Sequence, residues 1–148
     1  MSVNERVIMK IRFATEHDLY RIAKMTRDLT HHIGAFEWKV ENHLRHIKRR
    51  FASARYIYLV AVEGKVIVGY IGAELKSKRT AYLMKGYVEP SHRRKGVMRR
   101  LEGKLIEFLR EKGLSKVDLK VESKNKEGKA TWNALDYSTI RETMRKQI

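Results

Sequence analysis

With 148 residues the chain suffices for one buried core and is short for two, so a single domain over 1–148 is expected. Its 33 Lys and Arg against 17 Asp and Glu give a net charge of +16, which favours solubility and attraction to polyanions; with no cysteine it has neither disulfides nor thiolate metal sites, as suits a reducing, cytoplasmic setting. The longest apolar runs, 56–62 and 66–73, are of strand length, and 1–10 mixes charge with isolated apolar residues, so neither a membrane span nor a signal segment is expected.

In residues 5–13, Val7, Met9, Ile11 and Phe13 fall at alternate positions, the period of a half-buried strand. Thr15 then precedes Glu16 and Asp18, a cap with acids in the first turn, and Leu19, Ile22, Ala23 and Met25 supply the apolar stripe of a helix that runs to Thr30. Residues 30–38 break the pattern and hold His31, His32, Phe36, Glu37 and Trp38. Adjacent histidines point to different faces, and no second ligand cluster recurs, so no metal site is expected. A second helix over 40–53 carries Leu44, Ile47 and Phe51 inward and presents Arg45, Lys48, Arg49 and Arg50 on a basic outer face.

Two β-branched and aromatic runs, 55–63 and 65–74, are joined by Glu63-Gly64-Lys65, a hairpin signal, and a third run covers 80–89. The next stretch, 88–101, is the most informative of the chain. Pro90 cannot donate a ladder hydrogen bond and stops the strand, while Gly96 opens the turn into a helix with Val97, Leu101, Leu105, Phe108 and Leu109 on one face and Gly113 at its end. The first amides of that helix have no internal acceptor and carry the positive end of its dipole, and Arg93, Arg94 and Lys95 crowd the same turn. That combination outlines a phosphate site, although in so basic a chain a basic turn also arises from composition alone. Beyond it, Val117, Leu119 and Val121 alternate in a strand over 116–122.

The spacing Val88-x-Pro90-x-x-Arg93-x-x-Gly96, with Leu101 closing the helix turn, resembles the acyl-CoA signature of the GCN5-related N-acetyltransferases (GNAT), V-x-P-x-x-R/Q-x-x-G-x-G/A. Met98 departs from it, standing where a small residue usually lets the backbone approach the pyrophosphate. Arg12, Ala14, Asp18 and Ile22 resemble the family's strand-to-helix entry; Asn125, Gly128, Trp132, Asp136 and Tyr137 fall at the places of its closing N-x-x-A-x-x-x-Y-x-x-x-G-F.

The resemblance implies an α/β fold, a mixed, mostly antiparallel sheet flanked by helices with a splayed central strand pair, and a final strand over 138–146. Acetyl-CoA would lie in the splay as cosubstrate. Backbone around Tyr87 and Val88 would contact the pantetheine, Arg93, Arg94, Lys95, Gly96, Val97 and Met98 would wrap the pyrophosphate, and Asn125 and Trp132 would border the slot. The region over the acceptor site would bring Phe36, Glu37 and Trp38 to the substrate, with a merely packed loop as the alternative.

Two departures bear on mechanism. Trp132 replaces the tyrosine thought to protonate the departing thiolate, and indole N–H does not ionise in the accessible range. A glutamate used as base by some members falls at Tyr82 here, leaving Glu74 as the nearest other acid. The implied activity is acetyl transfer to a primary amine by direct attack, with an acidic or nucleic-acid-associated acceptor favoured by the basic surface. The other reading is a non-catalytic, acyl-CoA-responsive module that binds nucleic acid or a ribonucleoprotein through that surface. Homodimers are common in the family; nothing in the sequence marks an interface.

Overall fold

The computed structural model describes residues 9–32 and 38–148, so Val7, Phe36 and Glu37 lie outside the described residues. Its elements are β1 (Met9–Phe13), α1 (Leu19–His32), α2 (Val40–Phe51), β2 (Tyr56–Glu63), β3 (Val66–Leu75), β4 (Thr80–Val88), α3 (Val97–Glu111), β5 (Lys116–Asp118) and α4 (Lys126–Ala134). The strands lie in one sheet in the order β1-β2-β3-β4-β5, antiparallel throughout except for the parallel β4–β5 pair. Among the described residues no helix is long and apolar enough to cross a membrane.

Each face of the sheet has its own core, because successive strand side chains point to opposite sides. Ile57, Leu59, Ile71, Ala73 and Leu83 pack on one face against Leu101 and Leu105 of α3, while Tyr58, Val60, Tyr70 and Tyr87 pack on the other against Ile22 and Met25 of α1 and Ile47 of α2. The hairpin turns at Gly64, whose φ of 63° is the left-handed conformation that glycine adopts without strain.

Three expected boundaries change. Helix α1 runs through His32, so the histidine pair sits on its last turn and the break after it is shorter than the sequence implies. Strand β5 ends at Asp118 instead of residue 122, because β4 turns away and no strand among the described residues flanks its other edge; Leu119 and Val121 remain half-buried beyond the ladder. The expected final strand does not form. Residues 138–148 are irregular and exposed, with Ile140 and Met144 turned to solvent.

The entry to α1 is fixed by an ion pair. Both guanidinium nitrogens of Arg12 reach the Asp18 carboxylate, at 2.6 and 3.1 Å, and Asp18 Oδ2 also accepts from the Thr15 N–H at 2.7 Å and its hydroxyl at 3.1 Å. The hydrogen bond from Arg12 is the main reason that the buried Asp18 carboxyl is lowered to about 2. Because its folded value lies below the unfolded one, this pair stabilises the protein above pH 3.8 and the contribution disappears as pH falls towards 2. Asp18→Asn should cost about 1–2 kcal/mol at pH 7, a figure reduced because Arg12 stands partly in water. Urea unfolding measured across pH should show the wild type, and not the variant, losing that increment in the acid window.

Candidate active site

Strand β4 is bordered on both sides for only part of its length. It pairs with β3 up to Val88, but with β5 only from Thr80 to Tyr82. Gly72 faces Lys85 and Ala73 faces Leu83 across β3–β4, so Met84 is an extra residue. Such a bulge bends its strand and increases the local twist, and here it coincides with the departure of β5. From Leu83 to Val88 the edge of β4 that faced β5 has no strand beside it among the described residues, and an extended, amide-bearing ligand can satisfy those backbone groups by strand addition.

At the open end of that edge, Pro90–His92 forms a 3-10 turn, and Arg94 (φ 62°) and Gly96 (φ 80°) adopt left-handed conformations before α3 begins. The Arg100 N–H donates to the Gly96 carbonyl at 3.1 Å, which leaves the amides of Val97, Met98 and Arg99 without helical acceptors. Gly96 has no side chain to cap them, and no acid stands in the first turn. Exposed Arg94 and Lys95 flank these amides, so the turn can hold a phosphate.

The other cations nearby have structural partners. Arg93 Nε donates to the Val88 carbonyl at 2.8 Å and its guanidinium lies over Tyr87, while Arg99 and Arg100 bond the carbonyls of Ala134 and Met9. Met98 turns inward; a Cβ built on Gly86 would lie 2.8 Å from its terminal methyl and 3.5 Å from the Trp132 ring. Tyr87 is buried on the opposite face, so it offers the slot only backbone. Asn125 caps α4 by accepting from the Gly128 N–H at 2.9 Å, and Trp132 packs edge-on against Tyr137. The Tyr137 hydroxyl is buried beside Glu102 of α3 and is pushed up by burial and by that carboxylate.

On the α1/α2 face the bulge opens onto a cavity of about 200 Å³, and both Met84 and Lys85 line it. Ile47, Tyr58 and Tyr70 form its apolar body and Trp38 stands at its edge. Thr26 donates its one hydroxyl proton to the Ile22 carbonyl at 2.8 Å, so Tyr70 donates to Thr26 in the 2.7 Å bond between their oxygens. The cavity also holds Arg50, His43 and His46. His43 is 5 % exposed, and its Nε2 is buried with no hydrogen-bond partner among the described residues. Burial, then the charges of Lys85 and Arg27, lower it below the usual histidine range and keep it neutral. Arg49 donates to His46 Nδ1 at 3.3 Å; a guanidinium can only donate, so that nitrogen is already occupied. Lys85 is lowered by burial and by Arg50.

Glu74 and Tyr82 do not line this cavity. Glu74 is paired with Arg55 at 2.8 Å and Lys76 at 3.2 Å, and the Lys76 ammonium lies over the Tyr82 ring where β5 is still attached. Arg50, read from the sequence as part of an outer basic face, instead reaches inward to Met84 Sδ at 3.4 Å. His43, Arg50 and Lys85 escaped the sequence reading. The signal for the first two was the series Val40, His43, Ile47, Arg50, whose spacing of three and four residues marks the buried stripe of α2.

The family model for the Acetyltransferase (GNAT) family matches residues 17–137. Among curated proteins none matches. The chain is similar in fold to a possible acetyltransferase from Clostridium difficile 630 (22% identity, 97% of this chain and 98% of that one, TM-score 0.79). It is similar also to aminoglycoside N-acetyltransferase AAC(6')-Iy in complex with CoA, at 17% identity over 99% of both chains and a TM-score of 0.83. A transcriptional regulator from Bacillus halodurans C-125 aligns at 20% identity over 95% of this chain and all of that one (100%), with a TM-score of 0.78.

A buried imidazole without a partner destabilises the fold that holds it. His43→Phe should therefore stabilise the protein by about 1 kcal/mol at pH 7.5. Since the folded value of His43 lies below its unfolded 6.5, the wild type should also lose stability as pH falls through and below 6.5, whereas the variant should not. Denaturant midpoints at pH 5.5 and 7.5 check both statements.

Proposed function

The chain belongs to the Acetyltransferase (GNAT) family, and on that premise we propose that it transfers an acetyl group from acetyl-CoA to a primary amine held in the cavity between α1, α2 and the sheet. The observation that carries this reading is the coincidence at the β4 bulge: Met84 and Lys85 line the acceptor cavity at the point where the strand's other edge becomes free. A thioester laid along that edge would have its carbonyl beside the cavity, and an amine inside could attack it directly.

The residues present fit acetyl-CoA. The free β4 edge pairs with pantetheine amides, and the amides of Val97, Met98 and Arg99, flanked by Arg94 and Lys95, receive the pyrophosphate. Met98 is no obstacle because its side chain turns towards Gly86. Acetyl-CoA supplies an activated acyl group whose leaving thiol has a pKa of about 8.5 and departs as thiolate without an enzyme acid. That suits a site where Trp132 cannot release a proton and the Tyr137 hydroxyl faces Glu102.

In the transfer the amine lone pair forms the C–N bond, the C–S bond breaks with its electrons going to sulfur, and the amine must lose a proton. His43 is the lining group best suited to accept it, being neutral and without a hydrogen bond at Nε2. Glu74 and Tyr82, the positions that the sequence offered for a base, are engaged with Arg55 and Lys76 and do not line the cavity.

Calorimetric titration with acetyl-CoA and free CoA, followed by thiol-release assays on amine acceptors, tests the reading; no saturable binding by either ligand would overturn it. Gly96→Asp should separate the phosphate site from the fold. Aspartate sets a negative charge before the Val97–Arg99 amides, so affinity for acetyl-CoA should fall at least about tenfold, while the left-handed backbone at 96, strained for any side chain, should cost the fold only about 1 kcal/mol. His43→Gln should lower kcat about a hundredfold with acetyl-CoA affinity unchanged. In the wild type kcat/KM should fall with unit slope on the acid side, below 6.5.

A further inference from the structure

The charge inside the acceptor cavity is one-sided. Lys85 projects into it from β4 and Arg50 from α2, and among the described residues neither has a carboxylate partner. No acid occurs among the described residues that line the cavity. Arg50 is held in place by its contact with Met84 Sδ and by the Tyr56 ring, 5.4 Å from its guanidinium carbon. A second, shallower cavity shares Trp38 and His46 with the first and adds Arg45 and Arg49, again without an acid. Positive charge therefore continues from the β4 bulge to the surface along α2.

Resting on the reading that this cavity receives the acceptor, we propose that the acceptor is a primary amine that also carries an anionic group, a carboxylate or a phosphate, bound by Lys85 and Arg50. The guanidinium fork suits a two-oxygen anion, and the ammonium beside it adds a point charge in a setting shielded from water. Trp38, Ile47, Tyr58 and Met84 offer apolar surface to the rest of the molecule. The same field serves the chemistry, because like charge nearby disfavours the protonated form of the bound amine and leaves more of it neutral for attack. A polycation such as a polyamine or an aminoglycoside would meet Lys85 and Arg50 with its own charges and nothing to pair them.

Two arms test this, both with CoA or acetyl-CoA saturating so that the α3 turn is occupied. The first is calorimetric titration with phenylacetate and phenyl phosphate, anions lacking an amine, against phenethylamine and spermidine. The anions should bind saturably and the cations should not; Lys85→Met should weaken the anions at least about tenfold, with Arg50→Gln as the second variant. The other arm compares kcat/KM for L-phenylalanine against phenethylamine and for O-phosphoethanolamine against ethanolamine. The anion-bearing member should win at least one pair about tenfold or more, which tells carboxylate from phosphate, and Lys85→Met should bring that ratio near one. Preference for spermidine or tobramycin, absent anion binding, or anion binding unchanged in both variants overturns the proposal. Anion binding in a protein that fails to bind acetyl-CoA overturns the transfer reading, and the acceptor role with it, while the anion site stands.

Discussion

A strand that is paired on both sides for three residues and on one side for the next six must satisfy its free backbone with something else. In β4 that requirement begins after Tyr82, and the surrounding structure prevents it from being met by sheet closure. The bulge at Met84 bends the strand away from β5, and the two cores hold it there: Leu101 and Leu105 of α3 are fully buried beneath it, while Tyr70 and Tyr87 are buried above. Each buried leucine contributes about 2 kcal/mol, so the sheet cannot rearrange to cover the edge without losing more than it gains. The open edge is thus a product of burial elsewhere, and Pro90 and Gly96 place an uncapped helix end at its mouth.

The same bulge divides the chemistry between two faces. Gly86 and Val88 face α3, and Met84 and Lys85 face α1 and α2 and line the cavity there. Without the extra residue, Met84 and Lys85 would point to opposite faces, as neighbours in a regular strand do. The positive charge that Lys85 brings to the cavity therefore depends on a backbone irregularity, and it acts in turn on His43.

What the sequence made legible follows from local rules. The period of two in β2, β3 and β4, the turn at Gly64, and the Pro90-to-Leu101 punctuation depend on neighbours in the chain, and they place the strand end, the turn and the start of α3. The features that sequence reading missed are those set by partners distant in the chain. Strand β5 keeps its alternation at Val117, Leu119 and Val121 yet forms ladder bonds at three positions, because β4 leaves it. Residues 138–146 join no edge of the sheet and stay exposed. On α2 the run of basic residues drew attention to an outer face, while Arg50 and His43 followed the apolar stripe inward, a distinction that spacing carries and residue type obscures. Glu74 has the right chemistry for a base, but Arg55 and Lys76 already bind it.

Two departures from the family's motifs, Met98 in the acyl-CoA signature and Trp132 in the closing motif, are coupled through a third residue. Met98 is larger than the small residue usual at its place, and Trp132 is larger than the tyrosine usual at its own; both pack across Gly86, the one position of β4 on that face with no side chain. A Cβ at residue 86 would meet Met98 at 2.8 Å and Trp132 at 3.5 Å, so volume added on the helices α3 and α4 is offset by volume absent from the strand. The consequence for mechanism follows from packing alone. An indole in this space provides apolar surface and no ionisable proton, so on the proposed reading proton transfer falls to the other side of β4, where burial among cations lowers His43 below the usual histidine range. A thiolate leaving group tolerates the loss of an acid on one side, whereas an attacking amine does not tolerate the loss of a proton acceptor on the other. On the proposed reading, that asymmetry lets tryptophan stand at position 132 while a proton acceptor, His43, is needed across the strand.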